Sequence, residues 1–232
     1  MPKFMPKTKR ELQELISDES VYLGDIDTSN ITDMSRLFFE DENEVEIHRL
    51  DFSGISSWDV SKVTDMSHMF EHCYVFNENI SGWDVSSVKN MERMFDECNF
   101  FAQDISSWDV SGCENMSGMF SGCYAFNQPL NSWNVSKVRD MSGMFHSCYY
   151  FNQPLDNWDV SSVEFMSFMF DTALSFNADI SGWNVGRFTS VRSMFCCAKS
   201  FKQDISGWKL VDERKKELHK GRNRYKSYDR NE

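Results

Sequence analysis

The sequence has no hydrophobic run that approaches the roughly 18 apolar residues of a membrane-spanning helix. Its first nine residues are polar and contain no apolar signal-peptide core, so we expect neither a classical export signal nor a membrane span. An excess of basic charge is also missing. The chain carries 24 Lys and Arg against 36 Asp and Glu, a net charge of -12, which argues against nucleic acid as a partner.

The 232 residues are 41% hydrophobic, which is too apolar for a disordered chain and enough for a sizeable core. Seven tryptophans recur at intervals of 25 residues: Trp58, Trp83, Trp108, Trp133, Trp158, Trp183 and Trp208. Six complete units follow one another over residues 58–207, and each repeats the same apolar positions. Self-similarity at a fixed period predicts a repeat protein.

One unit suggests two elements of regular structure. Trp133 and Val135 alternate with Asn134 as in a short strand that buries one face. Ser136 then precedes apolar residues spaced by three or four, which is the pattern of one helix face with a serine cap. The sequence therefore predicts an α/β repeat solenoid, a leucine-rich-repeat-like arc with a parallel strand ladder on one face and short helices on the other.

A family resemblance rests on the unit Asn-Val-Ser-Lys-Val-Arg-Asp-Met-Ser-Gly-Met-Phe-His-Ser-Cys-Tyr-Tyr-Phe-Asn-Gln-Pro-Leu-Asp-Asn-Trp at residues 134–158. This unit resembles the BspA-like bacterial surface proteins, whose leucine-rich repeats have about 25 residues. The resemblance covers residues 58–208 closely, and Asp33-Met-Ser-Arg-Leu-Phe38 resembles a degenerate first unit because it matches Asp65-Met-Ser-His-Met-Phe70. It implies a non-catalytic module used in adhesion and protein recognition at a cell surface.

The ends of such a stack need covering. Thr8 and Glu11 form a capping box before Leu12, Leu15 and Ile16, so we expect a helix over residues 8–17. The resulting division has an N-terminal cap at 1–24, a degenerate repeat with an acidic insertion at 25–57, six repeats at 58–207, and a C-terminal cap with a charged tail at 208–232.

One polar column is predicted to face outward from the strands, since it lies between the inward Trp and Val residues. We call it the aspartate column, and it consists of Asp59, Asp84, Asp109, Asn134, Asp159 and Asn184. Three interpretations remain open: turns in which each side chain bonds the backbone near the following serine, a basic protein partner, or cations that bridge stacked carboxylates. We expect a protein partner to dock on this column. The alternative is a structural solenoid without a specific ligand.

No catalytic, cofactor or metal site is expected. His68-Met-Phe-Glu71-His72 matches the pattern of inverted zinc peptidases, but the positions of both histidines vary among the units, which favours surface histidines or adventitious metal binding. Cys73, Cys98, Cys123 and Cys148 occupy a column that continues with alanine and so indicates packing, while the adjacent Cys196 and Cys197 lack Cys-x-x-Cys spacing. Seven thiols without a disulfide framework favour a reducing compartment such as the cytoplasm, whereas the resemblance favours the cell surface.

Overall fold

The computed structural model describes residues 2–39 and 49–218. Helix α1 spans Lys9–Ser17 and helix α2 spans Asp212–Glu217, and two single 3-10 turns lie at Leu23–Asp25 and Ile55–Ser57. Thr8 caps α1 by accepting a hydrogen bond from the Glu11 N–H, as the capping box predicts. Neither helix is long and apolar enough to cross a membrane within this part of the chain. The predicted acidic insertion at residues 40–46 and most of the charged tail lie outside the described residues.

The predicted α/β solenoid is wrong. Across the described ranges the repeats contain no helix and no sheet, and β-pairing is limited to isolated one-residue parallel bridges, such as Asp65 to Asn90. Trp133 and Val135 are buried and Asn134 is exposed, so the alternation is real, but these residues form no strand. Each 25-residue unit is instead one coil built from successive β-turns.

The segment predicted as a helix is a chain of turns. In the coil that begins at Trp58, the Met69 N–H donates to Met66 O and the Cys73 N–H to Phe70 O. His68 and His72 occupy the third position of these turns with φ of 58° and 64°. A positive φ at that position is typical of type II turns and stops helix propagation. Turns that close over three residues put apolar side chains three or four positions apart, which is why the pattern resembles a helix.

The same segment joins neighbouring coils through backbone hydrogen bonds. Alternate N–H groups donate to carbonyl oxygens of the next coil: Met66 to Asn90, His68 to Glu92, Phe70 to Met94 and His72 to Asp96. Equivalent bonds recur in every following pair of coils, and the last of them runs from the Thr172 N–H to Cys196 O. The left-handed residues make this possible, because they turn alternate peptide groups toward the neighbouring coil while the others close the turns.

The core consists of aromatic ladders that run along the stack. Phe70 and Phe95 stack with ring centroids 5.7 Å apart, and the same position continues at 5.6–5.8 Å to Phe195. A second ladder starts at Phe76 and stacks at 5.9–6.1 Å. Each tryptophan completes the core, with its indole N–H bonded to a carbonyl of the preceding coil, as from Trp133 to Ile105 at 3.2 Å.

Arg49 ties the N-terminal cap to the stack. Its guanidinium is buried and donates hydrogen bonds to the carbonyl oxygens of Ile16, Asp18 and Val21. These carbonyls lie at and just beyond the C-terminal end of α1, where backbone acceptors have no partner inside the helix. The degenerate unit then joins the first full coil through the bridge from Asp33 to Asp65.

Candidate functional site

The aspartate column is exposed along the stack, and its side chains take part in local turns. Asp59 Oδ1 accepts hydrogen bonds from the Ser61 N–H at 3.0 Å and the Ser61 hydroxyl at 2.7 Å. Equivalent bonds to the serine two residues later are made by Asp84, Asp109, Asn134 and Asp159. Asn184 is followed by Gly186, which has no hydroxyl to offer. The column therefore shapes Asx-type turns.

These bonds stabilise the ionised carboxylates. The Ser61 hydroxyl, followed by the Ser61 N–H, lowers the pKa of Asp59, and Ser111 and Ser161 lower the pKa of Asp109 and Asp159 in the same way. Nearby lysines add to the effect, because Lys62 acts on Asp59 and Lys137 acts on Asp109. The lysines offset part of the negative charge of the column.

A second surface lies over the turns that join the coils. It contains a groove of about 500 Å³, here called the turn groove, which crosses the four coils that contribute Arg93, Gly118, Gly143 and Phe168. Gly143, with φ of 62°, leaves the space above it open, whereas Gly118, with the same φ, is buried beneath the Arg93 side chain. Exposed Arg93 and Phe168 stand at the same position in the outer two of the four coils. The sequence had shown this column to be variable, which is the signal that could have located the groove.

Acidic groups line the floor and rim of the turn groove. Asp96 and Asp171 are buried in the floor, and burial raises the pKa of both carboxyl groups. Arg93 Nη1 lies 3.1 Å from Asp96 Oδ2, and His146 Nδ1 lies 3.5 Å from Asp171 Oδ2. Glu92 and Asp140 add two further carboxylates to the lining. The groove therefore carries more acidic than basic groups.

The zinc-peptidase motif does not form a metal-binding helix. His68 and His72 lie in successive turns with left-handed backbone, so they do not share the helix face that this motif requires. His68 Nδ1 lies 2.5 Å from Glu71 Oε2, and Arg93 Nη1 lies 3.3 Å from Glu71 Oε1. Burial of Glu71 raises the pKa of its carboxyl group. The hydrogen bond and charge of His68, together with the hydrogen bond from Arg93, outweigh burial, so the pKa of Glu71 is lowered. These groups form an ionic network between coils.

An aromatic row follows directly after the turn segments. Its exposed members include Tyr74, Phe100 and Tyr150, which are 52%, 63% and 66% exposed. Tyr124 and Tyr149 stack in adjacent coils with ring centroids 4.7 Å apart, and Tyr74 stacks on the ring of His72. Aromatic side chains that remain accessible are typical of protein-binding surfaces.

The column of cysteines belongs to the core. Cys98, Cys123 and Cys148 each donate a hydrogen bond of 3.0 Å to the carbonyl of a phenylalanine in the preceding coil. Burial raises the pKa of the Cys98 and Cys123 thiols far above the usual range and that of Cys113 to about 12. None of the seven cysteines, all of which lie in the described part of the chain, is in a disulfide.

Comparison with known proteins gives one family. The family model described as Mycoplasma protein of unknown function, DUF285, matches residues 44–148 and again residues 129–225. No curated protein and no solved structure matches the chain. Both family matches fall mainly on the 25-residue units, and together they take in more than three quarters of the 232 residues. The chain is therefore a repeat protein that belongs to the DUF285 family.

Proposed function

We propose that this protein is a non-catalytic interaction module that holds a basic segment of a partner protein in the turn groove. The single observation that carries the proposal is the groove itself, an acidic channel that is open where Gly143 interrupts a column of larger side chains. The exposed Phe100 and Tyr150 supply further apolar area on the same coils, and aromatic side chains of this kind are common at binding surfaces. Such a combination suits an extended partner segment with Lys or Arg residues between apolar ones.

Charge complementarity selects the partner. Residues 25–207 carry 11 basic against 27 acidic groups, so a cationic segment is attracted to this part of the chain over a distance and a polyanion such as nucleic acid is repelled. Glu92 lines the groove with 37% of its side chain exposed, and can pair with an incoming ammonium or guanidinium group. Paired charges of this kind mainly raise association rates and specificity.

The aspartate column is the competing surface. Its docking role stays a prediction, and the Asx-type turns give it a structural purpose that requires no partner. Gly118 and Gly143 suit the left-handed turns of the groove, but the space above Gly143 is open, since an added Cβ would meet only His146 Cβ within 4 Å. For this reason we place the partner in the groove.

A finer relationship, to the BspA-like surface proteins, is part of the same proposal. The recurring Met-Ser-x-Met-Phe and Phe-Asn-x-x-Ile/Leu motifs support this relationship. If the relationship holds, the protein binds its partner during adhesion. The relationship does not imply an architecture of strands and helices, since the coils of this protein consist of turns.

A labelled Lys/Arg-rich peptide and an Asp/Glu-rich peptide of the same length test the proposal by fluorescence anisotropy. We expect only the basic peptide to bind, and Glu92→Lys combined with Gly143→Asn to weaken it at least tenfold. Asparagine tolerates a positive φ, and a Cβ at position 143 meets no atom closer than His146 Cβ at 3.9 Å, so this pair blocks the groove without breaking the turn.

Asp84→Lys and, separately, Asp109→Lys are matched controls, because each changes the net charge as much as Glu92→Lys. They should change affinity less than twofold. If the aspartate-column variants lose affinity tenfold and the groove variant loses none, the partner binds on the aspartate column. Equal losses in all variants, or no binding of the basic peptide, would overturn the proposal. Thermal unfolding of every variant checks that the fold is intact.

A further inference from the structure

The last coils bring Asp171 together with the adjacent Cys196 and Cys197 of the next coil. Asp171, Cys196 and Cys197 each place one ligand atom, a carboxylate oxygen or a sulfur, so that all three atoms lie within 4.8 Å of one another. Asp171 and Cys196 occupy the same position in successive coils, and the Thr172 N–H bond to Cys196 O at 2.7 Å holds that register. Cys197 follows with a left-handed φ of 59°, inside a turn that leaves the two sulfurs on one side.

The distances suit a tetrahedral metal ion. The two sulfurs are 3.7 Å apart, and two thiolates bound tetrahedrally at about 2.3 Å from zinc are separated by about 3.8 Å. His146 continues the same column one coil before Asp171, and its Nδ1 lies 3.5 Å from Asp171 Oδ2. That nitrogen is buried and makes no hydrogen bond within the described part of the chain, so it is available as a further donor.

These two thiols do not serve the packing role of the other cysteines. In the cysteine column the thiol bonds a phenylalanine carbonyl of the preceding coil, as Cys148 does, and Ala198 takes that position in the last coil. Cys196 and Cys197 occupy the two positions before it, where other coils have polar or charged groups such as Asp96 and Glu97. Two buried or half-buried thiols beside a buried carboxylate are therefore unexplained by packing.

We propose that Asp171, Cys196 and Cys197 bind one thiophilic divalent cation of the zinc class, with His146 as the fourth donor. Thiolate pairs select zinc-like ions over magnesium and calcium, which prefer oxygen ligands. Asp171 and Cys196 are 7% and 5% exposed, while Cys197 is half-buried and gives access from the surface.

Cobalt(II) titration of the metal-free full chain under reducing conditions tests the site. We expect one equivalent to give a thiolate-to-cobalt charge-transfer band and tetrahedral d–d bands, and one equivalent of zinc to displace it. Cys197→Ser, Asp171→Asn and His146→Asn should each weaken binding by at least about 100-fold, beyond the range of about 10- to 100-fold known for outer-shell partners, because each removes a donor.

Cys73→Ser is the matched control, since it removes a half-buried thiol far from the cluster along the chain, and it should leave affinity unchanged. Melting temperatures of the metal-free variants show whether each one folds. A wild-type chain without a thiolate charge-transfer band, or a folded Cys197→Ser variant with wild-type affinity, would overturn the site. Neither result bears on the turn-groove proposal, whose variants leave Cys196 and Cys197 untouched.

Discussion

At the scale of single residues, stability depends on side chains that serve two coils at once. Trp133 is 3% exposed, packs near Phe120 of the preceding coil, and bonds Ile105 O. Its removal would create a cavity and leave a buried carbonyl without its donor. The exposed Lys137, four residues later, contributes no comparable burial.

We expect Trp133→Ala to lower the free energy of unfolding by about 3–5 kcal/mol, the usual cost of truncating a buried aromatic side chain. Lys137→Ala should stay within about 0.5 kcal/mol of the parent, as exposed substitutions do. Urea unfolding followed by tryptophan fluorescence and circular dichroism measures both. Equal unfolding midpoints for Trp133→Ala and Lys137→Ala would show that the tryptophan column does not stabilise the core.

At the scale of the element, the Asx-type turn links sequence to acid stability. Since the folded pKa of Asp59 is lowered, its turn contributes stability above the unfolded pKa of about 3.9 and loses it as pH falls through the folded pKa. Asp109 and Asp159 act in the same direction. The turns should therefore add no pH dependence between pH 7 and about pH 5, and weaken together below about pH 4.

Ser61→Ala isolates one of these turns. It removes the hydroxyl that bonds Asp59 and should raise the pKa of Asp59 toward the ordinary aspartate value, while Asp159, whose Ser161 is intact, keeps its lowered pKa. Carboxyl NMR titration measures both groups in one sample. An unchanged Asp59 pKa would mean that the hydroxyl bond is not formed in solution.

The type II turns make a second prediction for this element. Ser147 has a φ of 57°, a conformation that costs β-branched residues more than others. We expect Ser147→Val to destabilise the protein by about 1–2 kcal/mol and Ser147→Gly to be neutral or stabilising. Ser162→Val, at an exposed serine that is not left-handed, is the control and should cost less. Chemical unfolding of the three variants provides the comparison, and equal losses for both valines would contradict the turn geometry.

At the scale of the whole molecule, coils pair only with their neighbours through bonds and ladders that repeat every 25 residues. Deletion of residues 133–157 therefore joins Ser132 to Trp158 in register, and the remaining coils can form the same bonds. We expect this shortened chain to fold cooperatively with a lower melting temperature. Deletion of residues 133–150, which breaks the period, should abolish cooperative unfolding in calorimetry. Similar melting curves for the two deletions would show that register does not matter.

The sequence by itself determined the repeat, its period and the inward columns, because burial follows directly from which positions stay apolar in every unit. It could not distinguish turns from helices, since a β-turn and a helix both place apolar residues three or four positions apart. Left-handed backbone falls on residues as different as His68 and Ser147, and its one residue-type signal is the glycine that takes these two positions in other coils, at Gly118, Gly122 and Gly143.

Only the tertiary structure decided which polar residues meet. Stacking brings Asp171 beside Cys196 and Cys197 although 25 residues separate the first two, so the spacing of the adjacent cysteines does not by itself indicate a metal site. The same stacking formed the turn groove and buried Arg49 against the end of α1. In each case the physical reason is the same: the partners lie in different coils or elements, and their meeting depends on the stacking register, which no local pattern records.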